Sequence, residues 1–402
     1  MTAGQAPGRP PLATLGVATV SITLGALPVF LLGALAVFIR QELHFGEARL
    51  GLAASLYYLS SAVMSIPGGR FAERLGARRA IAVAATGTAV AMGGAVLFAT
   101  TWGRLVLCMV LAGAANGIAL PATNLALARG IPARHQGAAF GLKQSSGPFA
   151  TLLAGAAVPA LGLTVGWRWA FALAGLAAVP LMIAGVGRRT APPRRRGGGD
   201  RVPVGPLAVL SLAAASAVIA GSSLGAFYVV SAVDGGLPPG AAGTLLAVGS
   251  VLGVAARVGW GWVGDHRTAG HFRIVSGLLV SGAAGFALLG ASSRAVLVTA
   301  TFVVFCTGWA WPGLFNFAVV RGNPLAPAAA SGITGTGQFA GGILGPLGFG
   351  ALVERTSYQV AWLATAATLV VAGVLVYAGS SWLDRLKPPA PIRPLTPPAR
   401  AH

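Results

Sequence analysis

One lysine is embedded deep in apolar sequence. Lys143 belongs to the stretch Gly141-Leu-Lys-Gln-Ser-Ser-Gly-Pro148. On a helix it lies about 7–9 residues, on the order of 10–13 Å, past the start of its hydrophobic run. The chain holds 26 arginines and only two lysines, so this position runs against the chain's own bias. A lysine at the centre of a bilayer costs roughly 2.5–3.5 kcal/mol, which a wet cavity or an anion would offset. An ammonium is a compact charge that meets a small anion without arginine's planar fork. Two blander readings stay open: the side chain snorkels to the nearer interface, or it bonds a carbonyl freed by Pro148.

Other polar and aromatic groups share the apolar runs. Gln144 follows the lysine, and Asn116, Asn124, Asn316 and Gln338 add amides elsewhere. Such side chains either bridge helices or together line a polar site. Trp309 and Trp311 precede Pro312, far from either end of their run. They shape or gate a cavity, or they pack. Phe30, Tyr57, Tyr58, Phe227 and Tyr228 are weaker members of the same set. Arg257 lies eight residues before Asp265 on a similar helical face, and is expected to pair with it or to snorkel rather than bind a ligand.

What is missing also bears on the chemistry. The eight acids, Glu42, Glu47, Glu73, Asp200, Asp234, Asp265, Glu354 and Asp384, all stand clear of the centres of the runs. His44, His135, His266, His271 and His402 fall in loops, at run ends or in the tail. The sequence therefore holds no buried carboxylate or histidine for a proton relay and no carboxylate trap for cationic compounds. No protease, phosphate-loop or metal spacing occurs, so no catalytic residue, metal or cofactor is expected, and the chain does not read as an enzyme.

Composition indicates what positions these groups. Of 402 residues, 55% are hydrophobic and only 9% charged, against about 25% charged in soluble domains. The 59 glycines allow helix backbones to approach closely in lipid. A net charge of +20 suggests nucleic acid at first sight, but the basic residues sit in short loops beside apolar runs, which is topology signalling, and no nucleic-acid partner is expected. Cys108 and Cys306 each lie in an apolar run and outside any metal spacing, and no disulfide is expected. The N-terminus does not read as a removable signal peptide.

Apolar runs fall at approximately 13–39, 48–67, 80–101, 104–128, 136–163 and 169–187, then at 206–232, 240–263, 274–292, 295–320, 329–353 and 359–382. Each approaches or exceeds the ~20 residues of a spanning helix, and only helices satisfy their own backbone in lipid. The expected organisation is a disordered cytoplasmic tail (1–12), a six-helix bundle (13–187), a basic linker (188–205), a second six-helix bundle (206–382) and a second tail (383–402). With the N-terminus inside, inner segments hold 20 basic residues and outer loops six. That bias predicts a multi-pass protein of the cytoplasmic membrane with both termini cytoplasmic.

The link between the second and third runs places Gly69, Glu73-Arg74, Gly76 and Arg78-Arg79 in a short polar stretch. Gly261, Asp265 and Arg267 repeat its first half, the glycine and the acid both displaced by 192 residues. The repeat continues: Gly117 to Pro121 with Asn124 matches Gly308 to Pro312 with Asn316, Arg129 matches Arg321, and Gln144 matches Gln338 with a slip of two. Two similar halves therefore share one chain.

The link resembles the G-x-x-x-D-R-x-G-R-R signature of the major facilitator superfamily. Glu73 stands where aspartate is usual, Ala77 stands where a basic residue is common, and the second copy lacks the second glycine-arginine half. The resemblance extends over residues 13–382. It implies an all-α membrane protein of twelve helices in two pseudo-symmetric six-helix bundles. It further implies a monomeric secondary transporter that alternates access to a central small-molecule site. A cytoplasmic gate is implied as well, in which Glu73 meets Arg129 or the start of the eleventh helix, and Asp265 meets Arg321 or the start of the fifth. The Gly-x-Lys-Gln and Gly-Trp-Ala-Trp-Pro stretches are similar to the cyanate and nitrate-nitrite porter branch, without the arginine pair of nitrate porters. The one deep charge is positive and no deep acid exists, which points to a small organic or inorganic anion. The alternative is an efflux pump for drugs or secondary metabolites, because Gly147-Pro148 and Gly341-x-x-x-Gly345-Pro346 resemble part of the antiporter Gly-Pro signature. Against it, the fifth helix lacks the trailing glycine pair, and Met109 stands where many relatives place arginine. A sensor would bring a soluble domain and an intramembrane enzyme a buried acid-base or metal set; the sequence offers neither.

Overall fold

The computed structural model of the protein describes residues 11–131, 142–184, 203–267, 269–291, 293–323 and 326–385. The expected tails and linker lie largely outside these residues. Where they overlap them, helix takes over: the first helix begins at Pro11, the helix after the linker begins at Val204, and the last runs to Arg385.

All regular structure among the described residues is helical. The first half holds α1 (Pro11–Ala34), α2 (Ala36–Leu43), α3 (Glu47–Leu75), α4 (Ala77–Phe98), α5 (Trp102–Gly130), α6 (Ser146–Ala157), α7 (Trp167–Ala177) and α8 (Val179–Ala184). The second holds α9 (Val204–Asp234), α10 (Pro239–Asp265), α11 (His271–Leu288), α12 (Arg294–Val303), α13 (Pro312–Gly322), α14 (Pro327–Arg355) and α15 (Tyr358–Arg385). Single turns of π-helix, Val158–Gly162 and Val304–Gly308, follow α6 and α12.

Ten of the spanning segments pass on length and apolar composition among the described residues. The other two are the fifth, whose first residues are not among those described, and α14, whose 29 residues are diluted by glycine. At ~1.5 Å per residue α14 is still long enough to cross. The protein is an all-α membrane protein with its twelve segments in two six-helix bundles. Large apolar side chains such as Val63, Ile66, Leu107 and Val374 face outward, as a lipid environment requires.

The bundles meet along three seams: α3 on α14, α6 on α10, and α1 on α9. At the end away from the Gly69–Arg79 link, here the far end, these seams are backbone against backbone. A Cβ on Gly33 would lie 2.1 Å from Gly225 O, one on Gly51 2.1 Å from Pro346 O, and one on Gly155 2.7 Å from Gly243 O. Two carboxylates complete this closure, and a third, Glu42, acts within the first bundle. Glu354 accepts the Ala48 N–H at 3.0 Å, so a side chain of one bundle caps helix α3 of the other. Gly46 makes room for it, because a Cβ there would lie 2.6 Å from Glu354 Oε1. Glu47 pairs with Arg40 at 2.6 Å and accepts the Tyr358 hydroxyl at 3.2 Å. Within the first bundle, Glu42 accepts hydrogen bonds from Trp167 Nε1, at 2.7 Å, and from Arg168. Partial burial pushes its carboxyl up, but the hydrogen bonds from Arg168 and Trp167 and the Arg168 charge outweigh burial and hold it below the usual carboxylate range.

At the other end, the basic end, Glu73, Arg74, Arg129, Asp265, Arg267 and Arg321 are exposed. Neither Glu73 nor Asp265 forms an ion pair among the described residues. Gly76 has φ 89° and ends α3 directly before α4. The repeat analysis expects no such glycine in the second half, and there the structure differs. Gly270, φ 83°, directly precedes α11, and Arg273 sits in the first turn. The second glycine-arginine half is displaced by two residues rather than lost, because both links need a left-handed residue where one helix hands over to the next.

Candidate functional site

The tenth segment is broken at mid-length. Helix α12 loosens into the π turn Val304–Gly308, passes through a turn at 309–311 and restarts as α13 at Pro312. Breaks of this sort free backbone carbonyls for other partners. Arg257 of α10 takes one of them: its Nε and Nη2 donate to Trp309 O at 3.2 and 2.9 Å. Its Nη1 donates to the Gln144 carbonyl of the opposite bundle, and its guanidinium stacks on the Trp309 ring, 5.1 Å from the centroid. Arg257 is only 9% exposed. The expected pairing with Asp265 or a snorkelling arginine is thus corrected. The free carbonyl lies closer than the acid two turns away, and Asp265 stays in solvent.

Beside this bond network lies a cavity of 110 Å³ between the bundles. Phe30 of α1 and Tyr58 of α3 form one side; Gly221 and Ser222 of α9, with Trp309 and Trp311, form the other. Gly221 admits the Trp309 indole, since a Cβ there would lie 2.7 Å from Nε1. Phe30 meets Trp309 edge-on at 6.2 Å. A second, larger cavity of 340 Å³ lies at the far end, among Arg40, Glu47, Asp234 and Tyr358.

Two amide joints stand toward the basic end. Lys143, 5% exposed, donates to Asn124 Oδ1. Gln338 Nε2 donates to Asn316 Oδ1 at 3.2 Å. The joints are repeat partners, so Lys143 rather than Gln144 takes the place of Gln338. Neither snorkelling nor a bond to a carbonyl freed by Pro148 describes the lysine. Gln144 contributes its main chain to Arg257 instead.

The remaining sequence candidates are dispersed. Asn116 Nδ2 donates to Ser61 Oγ at 3.1 Å, and the Tyr57 hydroxyl donates to Gly25 O at 2.6 Å, both inside the first bundle. Phe227 packs on Phe349 with centroids 4.7 Å apart, and Tyr228 shares a 2.6 Å hydrogen bond with Thr301. All four sit in packed helix contacts and none lines the cavity. Among the gate candidates, Arg78 Nε donates to Ala184 O at 3.1 Å, tying α4 to α8. Arg79 is half-buried. A Cβ on Gly69 would meet Pro121 at an ordinary 3.7 Å, and one on Gly261 would meet open space. Arg321 lies over Phe317 at 5.7 Å. The glycines of the Gly-Pro stretch in α14 serve packing: a Cβ on Gly341 would lie 2.2 Å from Ala215 O, and one on Gly345 2.3 Å from Ser222 Oγ. Sequence reasoning gave Arg257 the wrong partner and missed the Gly221–Ser222 wall of the cavity on α9. A signal for Arg257 was present, as an arginine in an apolar run with no acid inside the same run.

A sequence model of the Major Facilitator Superfamily matches residues 17–346. No curated protein matches. Among solved structures, a bacterial homologue of the human lysosomal transporter Spinster has a similar fold. Its inward-facing, occupied structure has a TM-score of 0.73 at 19% identity, covering 96% of this chain and 100% of that one. Its inward-facing, unoccupied structure has a TM-score of 0.72 at 17% identity, with the same coverage.

Proposed function

The chain belongs to the Major Facilitator Superfamily, a family of membrane transporters, and we propose that it is a secondary transporter carrying a small organic or inorganic anion by alternating access. One observation carries the substrate class. Arg257 and Lys143, from opposite bundles, are both buried, and their hydrogen-bond partners are carbonyl and amide oxygens rather than carboxylates. Buried cations are retained where a counter-charge arrives from elsewhere. An anion entering between the bundles supplies it.

The arginine bias supports a cytoplasmic basic end; on that reading the far end, closed by backbone contacts, faces outward, and the protein would open inward. In the opposite facing, Glu73 and Asp265 are free to meet Arg129, Arg321 or the helix starts opposite them, as the signature implies. Ligand and gate then shift populations between facings.

The runner-up, efflux of uncharged or cationic compounds, draws support from the aromatic lining of the cavity, which holds no charged residue. Counterflow in proteoliposomes separates the two. Uptake of a labelled anion should fall at least tenfold in Arg257→Gln and in Lys143→Ala, with melting of the unliganded protein as the folding control. Transport of neutral or cationic dyes that neither substitution affects would sink the anion reading.

A further inference from the structure

The two cavities lie along the same pair of spanning segments, with a glycine contact between them. On the first segment Phe30 lines the central cavity, while Val37 and Arg40 line the far-end one. On α9 Gly221 and Ser222 line the central cavity, while Val233 and Asp234 line the far-end one. Gly33 and Gly225 come between on both segments, where a Cβ on Gly33 would lie 2.1 Å from Gly225 O. Along this seam the far-end cavity is cut off from the central one. At 340 Å³ it falls within the range of small-molecule sites, about 300–1,000 Å³. Both bundles build it, with α2, Phe45 and Glu47 from the first and α9 and Tyr358 from the second.

Its charges do not cancel. Arg40 is already engaged: Nη2 pairs with Glu47 at 2.6 Å, and Nε donates to Phe45 O at 3.1 Å. Asp234 is left over, since its side chain makes no ion pair or hydrogen bond among the described residues. It is the last residue of α9, where the negative end of the helix dipole adds to its charge. Arg294 comes near but donates to Gly236 O, at 3.3 Å, rather than to the carboxylate. Beside Asp234 the wall is apolar, made by Val37, Phe45, Val230 and Val233. One unmatched negative charge next to an apolar wall suits a cation with an alkyl body and repels an anion. We infer that the far-end cavity binds a small primary alkylammonium, its nitrogen on Asp234 and its chain against the valines. An occupant that touches both bundles binds best while the far end is closed, and so holds the protein in that facing. The site lies across the glycine contact from the cavity beside Arg257 and does not rest on the anion reading.

The test uses the purified full chain in detergent at constant ionic strength, with butylammonium, butyrate and butanol as probes of equal chain length. Thermal stabilisation reads binding, and thiol labelling of a reporter cysteine at the far end reads the facing. Butylammonium should bind about tenfold more tightly than butyrate or butanol, and should slow the labelling several-fold. Asp234→Asn should weaken butylammonium about tenfold without changing the melting point of the unliganded protein, because the side chain is exposed. Val233→Phe, which fills the cavity and keeps every charge, should weaken it as well. Butyrate or butanol binding as tightly as butylammonium overturns the inference, and so does the absence of butylammonium binding. Butylammonium binding that neither substitution affects places the amine elsewhere and overturns the site. Faster labelling at the far end overturns the claim that the occupant holds it closed.

Discussion

The two ends of the molecule are closed by different means. At the far end the bundles touch through glycine backbones, with Glu354 and Glu47 reaching across. At the basic end long charged side chains stand apart in solvent. Backbone contact has no slack, because it is made at full van der Waals closeness or not at all. Long side chains bridge a gap or leave it at little cost, since exposed ion pairs are worth only about 0–1 kcal/mol. One end thus behaves as a fitted seat, the other as an adjustable clasp.

The comparison breaks most severely at a glycine of the seat. Gly51→Val drives side-chain atoms into Pro346 O, and overpacking of this kind costs roughly 3 kcal/mol. The ratio of facings should move about a hundredfold toward the one with the far end open. Thiol labelling of reporter cysteines at the two ends reads the shift, and unchanged labelling would show the seat to be compliant.

A smaller effect is expected at the cross-bundle cap. Glu354→Ala removes a helix cap worth about 1 kcal/mol and should shift the same ratio several-fold. Gly46→Ala, which crowds Glu354 Oε1, should act on the same contact. The double substitution should therefore fall short of the sum of the singles; strict additivity would separate the two residues.

Next comes a pH dependence. The folded Glu42 carboxyl titrates below its unfolded value. Its contribution to stability is complete above the unfolded carboxylate pKa and is lost as pH falls through the depressed folded one. The melting point should decline in that acidic window, and Arg168→Ala should flatten the decline. An equal slope in both proteins would remove Glu42 from the account. Smallest of all, Glu73→Gln at the clasp should leave the stability of this facing within about 0.5 kcal/mol of wild type, while labelling shifts toward the inward-open facing. A loss of stability comparable to that of Gly51→Val would contradict the contrast between the ends.

Much of the fold was legible because bilayer length and backbone satisfaction constrain a chain so tightly. The apolar runs, the half-repeat and the deep Lys143 all came from those rules. The site was less legible. Arg257 had a plausible local partner in Asp265, and hydropathy carries no sign of the π turn that exposes the Trp309 carbonyl. Phe227 and Tyr228 looked equivalent to Phe30 and Tyr58, but Gly51 and Gly350 bring α3 and α14 against Phe227. Whether an aromatic ring lines a cavity or a seam thus depended on glycines far away in sequence. Gly270 and Gln338 were misaligned by short slips that only helix ends and paired amides reveal.

Arg257 also has an electrical consequence. Its guanidinium stays charged at any physiological pH, in the region across which the membrane potential falls. A unit charge crossing the whole field exchanges about 2.3 kcal/mol per 100 mV, so a rocking motion that carries Arg257 through part of it makes reorientation of the empty protein voltage-sensitive. On the anion reading, a bound monovalent anion offsets one of the two buried positive charges, Arg257 and Lys143, and weakens the effect. An inside-negative cell would then act more strongly on the empty carrier than on the loaded one, so that the flux would depend on the sign of the membrane potential.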